Sequence, residues 1–285
     1  MKILVTGFEP FGGERINPSW EVTQCLEGMS VAGAQVCVAQ LPCVFSEALD
    51  ELNRQLHLHQ PQIVVALGQA DGRSDFSIER VAINVCDARI PDNAGAQPVD
   101  VPVVKDGPAA YFSTLPIKHL VNRLRTAGFP ASVSQTAGTF VCNQVFFALQ
   151  HALAGRGVRS GFVHLPLLPE QAAHWKGPSL PSWPASLQIA AAQQALALLV
   201  AHRLQGMGPD CPARAAQLFG SAGAVLICRA RAAAWSDMAR PPSIDRPEVR
   251  RRFAVWRGRG GRGHDESGAV AVRVMPLVEL VVTAG

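Results

Sequence analysis

The sequence predicts a three-layer α/β/α sandwich on a mostly parallel mixed sheet, followed by a C-terminal extension of different character. Two observations carry the fold class. Short continuous apolar runs, such as Ile63-Val64-Val65-Ala66-Leu67, are the pattern of strands buried on both faces. They alternate along the chain with longer amphipathic stretches, and that β-α-β-α order favours a sheet covered by helices on both sides. Composition agrees. Of the 285 residues, 48% are hydrophobic and 17% charged, which excludes a chain disordered as a whole and supplies a sizeable core.

Lys2–Thr6 reads as the first strand and leads into the loop Gly7-Phe8-Glu9-Pro10-Phe11-Gly12-Gly13. A helix begins at Pro18, with Asn17 as its N-cap and proline in the first helical position. Gln35–Leu41 is a second strand. Ser46 is placed to cap a helix over Glu47–His57, where Leu49, Leu52 and Leu56 share one face. Ile63–Leu67 is a buried strand between Pro61 and Gly68, and Ser77–Val85 alternates like a half-exposed one. Pro91–Gly107 is rich in Pro, Gly and Asp and reads as loop. Leu115–Ala127 is a helix closed by Gly128, Ala131–Gln135 a strand, and Val141–Ala154 a helix. Gly161–Leu165 is a strand halted by Pro166, and Ser186–Arg203 is a long helix rich in alanine and leucine. There is no internal repeat. In such folds ligands bind beyond the carboxyl ends of the strands, where the loops 7–13, 68–92 and 136–143 carry unusual residues.

The net charge of +4 is unevenly spread. Residues 1–205 carry 14 Lys and Arg against 15 Asp and Glu, whereas residues 206–285 carry 12 Arg, no Lys and 7 acidic residues. The boundary defines a body of 1–205 and an Arg/Gly/Ala-rich extension, 206–285, expected to be poorly ordered. That extension holds Arg250-Arg251-Arg252 and Arg257-Gly258-Arg259-Gly260-Gly261-Arg262-Gly263, but no aromatic platform accompanies the arginines. Nucleic acid is therefore not an expected partner of the body, and the extension alone could reach one. Val272–Val282 reads either as an edge strand or as an aggregation-prone run. No run reaches the roughly 18 apolar residues of a membrane span, and the amino terminus is too short in apolar residues for a signal peptide. Seven cysteines without CxxC pairs argue against a disulfide framework and fit a cytoplasmic location. Cys37 and Cys43 lack a zinc spacing, and the Gly7–Gly13 loop lacks a phosphate-loop ending, so neither a metal nor a nucleotide cofactor is expected.

Three residues carry candidate chemistry. Cys142 stands at the start of a helix, where unpaired N–H groups and the macrodipole favour a thiolate. By position alone it is a nucleophile or a small buried hydrophobe. Of eight histidines, only His164 ends an otherwise apolar strand, beside the turn that leads to Cys142; it is a general base or a core histidine with its bonds satisfied. Glu79 lies among Ile78, Val81 and Ile83, where a carboxylate is costly unless paired; it orients an imidazole or pairs with Arg80 or Arg89. Phe8 and Phe11 flank a glycine loop suited to a flat neutral ligand, or anchor that loop to the core.

Read together, several strings resemble the pyroglutamyl peptidase I family of cysteine peptidases. They are Thr6–Gly13, Gly68-Gln69-Ala70, Ile78-Glu79-Arg80-Val81-Ala82-Ile83-Asn84, Asp87–Asn93, Gly138–Asn143 and Gly161–Pro166, in consistent order over 1–205. The resemblance implies a catalytic triad of Glu79, Cys142 and His164, with Arg89 stabilising the oxyanion. It implies a pocket for a lactam ring lined by Phe8, Phe11, Ile90, Phe140 and Val141, with backbone groups near Gln69 reading the amide edge. It implies peptides with an amino-terminal pyroglutamate as substrates, no metal or organic cofactor, and a homotetramer. One departure is Cys43, within Leu41-Pro42-Cys43-Val44-Phe45, where the family more usually has threonine; the swap replaces a good donor by a weak one. The resemblance also implies that family members end near residue 203, which leaves 206–285 without a counterpart. The implied chemistry suits the body: a pyroglutamyl residue has no charged α-amine to grip, and its recognition needs an apolar slot with a few amide hydrogen bonds.

Overall fold

The computed structural model describes residues 1–205; the expectations for 206–285 lie outside the described residues. A seven-stranded sheet forms the middle layer. Its strands are β1 (Lys2–Phe8), β2 (Ser30–Val31), β3 (Ala34–Leu41), β4 (Ile63–Gln69), β5 (Phe76–Glu79), β8 (Ala131–Ser134) and β9 (Arg159–Leu165), in the spatial order β2-β3-β1-β4-β9-β5-β8. The four central strands β3, β1, β4 and β9 are parallel. Strands β5 and β8 run parallel to each other but against β9. The sheet is thus mixed and mostly parallel, as the alternation predicts.

Alternation along each strand divides two cores. Ile3, Val5, Val65, Ile78 and Val163 point to one face, under helices α1 (Pro18–Gln24), α3 (Ile117–Thr126) and α6 (Ala185–Gln205). Leu4, Phe8, Val64, Ala66 and Phe162 point to the other, under α2 (Phe45–His59) and α4 (Val141–Leu153). Among the described residues, α6 alone has the length and composition of a membrane-crossing helix. Its buried stripe, Ala192, Leu196, Leu199 and Val200, packs into the first of these cores, so the helix is part of the domain interior.

The structure departs from the sequence expectations at identifiable places. The expected single strand 77–85 breaks at Arg80. Its N–H bonds Ser134 O and its carbonyl accepts from Ser113 N, after which β6 (Val81–Ile83) leaves the main sheet to pair with β7 (Ala110–Phe112). The first half, Phe76–Glu79, is fully buried rather than half-exposed. Beyond β9 the chain forms a short helix, α5 (Pro169–His174), in which Gln171 caps the Leu168 N–H.

Helix α2 begins at Phe45 rather than after Ser46, and its N-cap, Val44, offers no side-chain acceptor. The missing acceptor comes from far along the chain. Asp92 Oδ2 accepts from Phe45 N at 2.8 Å, while Oδ1 accepts from Ala94 N and Ala96 N. The carboxylate sits where the helix dipole favours negative charge and pins the 91–107 loop to α2. We predict that Asp92→Ala lowers unfolding free energy by about 2 kcal/mol, since a capping acceptor and a buried turn are lost together. Urea denaturation of the full chain checks this; an unchanged midpoint contradicts the assignment.

Candidate active site

Sheet register brings Glu79 and His164 together. On the β5–β9 pair Ser77 lies opposite His164 and Ile78 opposite Val163. Glu79 is two residues beyond Ser77, and so lies diagonally from His164 on the face that looks at α4. Both are nearly removed from solvent, Glu79 at 0% exposed and His164 at 4%. His164 Nδ1 lies 2.8 Å from Glu79 Oε1. An Nδ1–H donated to a carboxylate leaves Nε2 free to accept a proton. Arg73 Nη2 stands 3.5 Å from the same carboxylate oxygen, and Glu79 Oε2 has no hydrogen-bond partner.

Cys142 arrives from above this pair. It is the second residue of α4, whose N-cap, Phe140, provides no side-chain hydrogen bond. The helix start is held down elsewhere: Asn143, fully buried, accepts from Ile83 N and donates to the carbonyls of Ile83 and Val85. Gly68, opposite His164 on the β4–β9 pair, makes the space. A methyl group there would stand 2.7 Å from the Phe162 ring and 3.0 Å from Cys142 Sγ, so the sulfur reaches the sheet only over a residue without a side chain.

A cavity of about 500 Å³ opens onto this assembly. Cys142, His164 and Gln69 are part of its lining; Phe11, Ile90, Ala137 and Phe140 form an apolar wall, and Asp71, Arg73, Asp87, Arg89 and Thr139 a polar one. Phe140 is fixed by an edge contact with Phe45, ring centroids 5.3 Å apart, and by a tilted one with Phe11 at 5.9 Å. Gln69 is locked at both ends of its amide, donating to Asp71 Oδ1 and accepting from Gln171 Nε2.

Of the residues singled out in the sequence, Phe11, Gln69, Arg89, Ile90, Phe140, Cys142 and His164 line the cavity, and Glu79 lies directly behind His164. Phe8 and Val141 do not. Phe8 belongs to β1 and packs on Phe162 inside the core, and Val141 is 0% exposed, because the α4 start turns its side chain into the same core. Neither arginine anticipated for Glu79 pairs with it: Arg80 donates to Gln135 Oε1 and Arg89 faces the cavity. Cys43 is buried outside the cavity lining. Its N–H donates to Glu9 Oε1, and burial, together with the charges of Glu9 and Asp92, raises its thiol to about 12. Arg73 and Gln171 carry no motif of their own. The dipeptide Gly72-Arg73 reads as a turn, and only the register of β5 and β8 shows where the guanidinium goes.

The helix-terminus effect on the Cys142 thiol is opposed by its surroundings. Burial pushes the Cys142 thiol well above its ordinary range, and the nearby Cys43 and Glu79 push in the same direction; its own backbone N–H opposes them only partly. Desolvation opposes the helix start because the sulfur stands against the sheet at Gly68, while the residue keeps part of its surface on the cavity. These effects favour the thiol over the thiolate, and an attack from the thiol requires that a base accept its proton.

A thiol beside an imidazole that is anchored on a buried carboxylate, at the foot of one cavity, is the arrangement of a cysteine-dependent hydrolase. The pyroglutamyl peptidase family model matches residues 1–202, and the chain belongs to that family. It is 61% identical over 176 residues to the pyrrolidone-carboxylate peptidase of Klebsiella pneumoniae, covering 61% of this chain and 82% of that relative. It is 53% identical over 211 residues to the one from Yersinia pestis strain Pestoides F, covering 73% and 97%. Among solved structures, pyroglutamyl peptidase I from Bacillus amyloliquefaciens superposes with a TM-score of 0.68 at 44% identity, covering 70% of this chain and 97% of that one. A mutant pyrrolidone carboxyl peptidase from Pyrococcus furiosus gives 0.70 at 42%, covering 71% and 100%.

A resting thiol has a direct signature. The rate of Cys142 alkylation by iodoacetamide in the unliganded chain should climb steadily between pH 7 and pH 9, because the thiolate is the reactive form. A rate already level below pH 7, followed by mass spectrometry of the Cys142 peptide, would show a preformed thiolate instead.

Proposed function

We propose that this chain is an omega peptidase that hydrolyses the bond after an amino-terminal pyroglutamyl residue through a Cys142 acyl-enzyme. The observation that carries the reading is the 2.8 Å contact between His164 Nδ1 and buried Glu79, in the floor of a cavity shared by Cys142 and an aromatic wall. The lactam ring is neutral and flat. It fits between Phe11, Phe140 and Ile90, with polar groups near Gln69 meeting its amide edge.

The reaction runs by acyl transfer. As Cys142 Sγ bonds to the pyroglutamyl carbonyl carbon, its proton passes to His164 Nε2, and Glu79 stabilises the resulting imidazolium. Negative charge moves to the carbonyl oxygen, where N–H groups at the start of α4 and Arg89 oppose it, each good donor supplying about 3 kcal/mol. Collapse of this intermediate breaks the C–N bond, and His164 returns its proton to the departing amine. Water, deprotonated by His164, then attacks the thioester carbonyl, and free pyroglutamate leaves as sulfur recovers the proton. The chain's own side chains complete the cycle.

The expected assembly is a homotetramer in the cytoplasm. The β6–β7 ribbon and the loop between its strands leave Val99, Val101 and Phe112 exposed, with Phe112 69% accessible, and apolar groups so placed suit contact between copies. All five described cysteines are free, as a reducing compartment keeps them.

The full chain should hydrolyse a pyroglutamyl anilide but not a leucyl anilide, and iodoacetamide should abolish the activity. Cys142→Ser should cost about a thousandfold or more in kcat with an unchanged circular dichroism spectrum. Near-wild-type turnover by that variant would remove Cys142 from the mechanism. Light scattering of the full chain should give the four-chain mass; a single-chain mass overturns the assembly.

A further inference from the structure

Arg73 is unused in the mechanism above, yet it is the one guanidinium within ion-pair distance of Glu79 among the described residues. Its side chain is about one-third exposed, and it reaches inward from the cavity wall. Two contacts fix it: Nη2 donates to Ser134 Oγ at 3.0 Å and to Thr136 O at 3.3 Å. Ser134 faces Glu79 across the β5–β8 pair, and its hydroxyl also donates to Thr136 O. One guanidinium thereby joins the acid of the pair, the strand beside it and the first turn of the loop that leads to Cys142.

Glu79 needs such a partner. Its carboxylate has no exposed surface, one oxygen receives the His164 ring and the other receives nothing. An ionised carboxylate in that position is expensive whenever the imidazole is neutral, which is the state that must take the thiol proton. If the carboxylate itself took a proton, its O–H would donate to Nδ1. The ring hydrogen would then sit on Nε2, and His164 could no longer accept from sulfur. We propose that Arg73 is a positioning residue, clamped by Ser134 and Thr136, that keeps Glu79 charged and so holds His164 in the tautomer able to deprotonate Cys142.

The proposal rests on the assignment of His164 as the base. The other ionisable groups around the pair are Cys142 above it, Cys43 near that sulfur, and Asp71, Asp87 and Arg89 along the cavity. None of these is within ion-pair distance of Glu79, and the two aspartates would oppose its charge.

The test compares Arg73→Met and Arg73→Lys in the full chain, by the pH profile of kcat/KM on a pyroglutamyl anilide and the pH profile of Cys142 alkylation by iodoacetamide. Arg73→Met removes the cation and the clamp. It should lower kcat/KM at neutral pH by about ten- to a hundredfold, the usual effect of losing an outer positioning contact. It should also shift the acidic limb upward by about one pH unit or more, because protons bind more readily once a nearby positive charge is gone. Arg73→Lys, which keeps the charge, should return the limb most of the way. A uniform loss at every pH, without rescue by lysine, would leave Arg73 as a loop anchor and overturn the proposal. So would a wild-type profile in Arg73→Met. The alkylation profile needs no substrate: should the wild-type chain fail to cleave pyroglutamyl amides, that failure falls on the substrate assignment, and the shift in alkylation still decides the role of Arg73.

Discussion

The site depends on one buried contact, the carboxylate of Glu79 against the ring of His164. A charge with no exposed surface is affordable only where its partners are fixed, and here they are fixed by strand pairing rather than by loops. Because side chains alternate, a slip of one residue between β5 and β9 would send Glu79 to the opposite face of the sheet. The geometry is therefore as rigid as the core. Phe76 and Ile78 on one side of β5, and Phe162 and His164 on the same side of β9 as Glu79, hold the register from both layers.

The remaining parts are delivered to that fixed pair by less regular segments. Asn143 ties the start of α4 to Ile83 of β6 through two hydrogen bonds and to Val85 just beyond it through a third, and Gly68 lets the sulfur come down onto the strand. The aromatic wall stands on Phe45, whose own N–H is held by Asp92 from the 91–107 loop. A loop that sequence composition marks only as irregular thus supports the first turn of α2 and, through it, the shape of the cavity.

The central strands were legible because residues buried on both faces leave continuous apolar runs, and the long helices because their apolar residues recur at helical spacing. Asn17 and Pro18 announced α1, and Asn17 Oδ1 does accept from Ser19 N. What stayed hidden were effects that depend on distant partners. The break at Arg80 requires Ser113 and Ser134; the cap of α2 requires Asp92; the reversal of β5 and β8 requires β9. At the site, the motif strings located Cys142, His164 and Glu79. They could not separate Phe11, which faces the cavity, from Phe8, which continues β1 into the core. Burial of the Cys142 sulfur was equally invisible, since it arises from a sheet that the local sequence does not contain.

That burial has a bearing on durability. Peroxides attack cysteine through its ionised form, and the path from sulfenic to sulfinic acid ends in irreversible damage. Surroundings that disfavour the Cys142 thiolate lower the share of that form. The same enclosure that disfavours a standing thiolate thereby lessens its exposure to oxidants between turnovers.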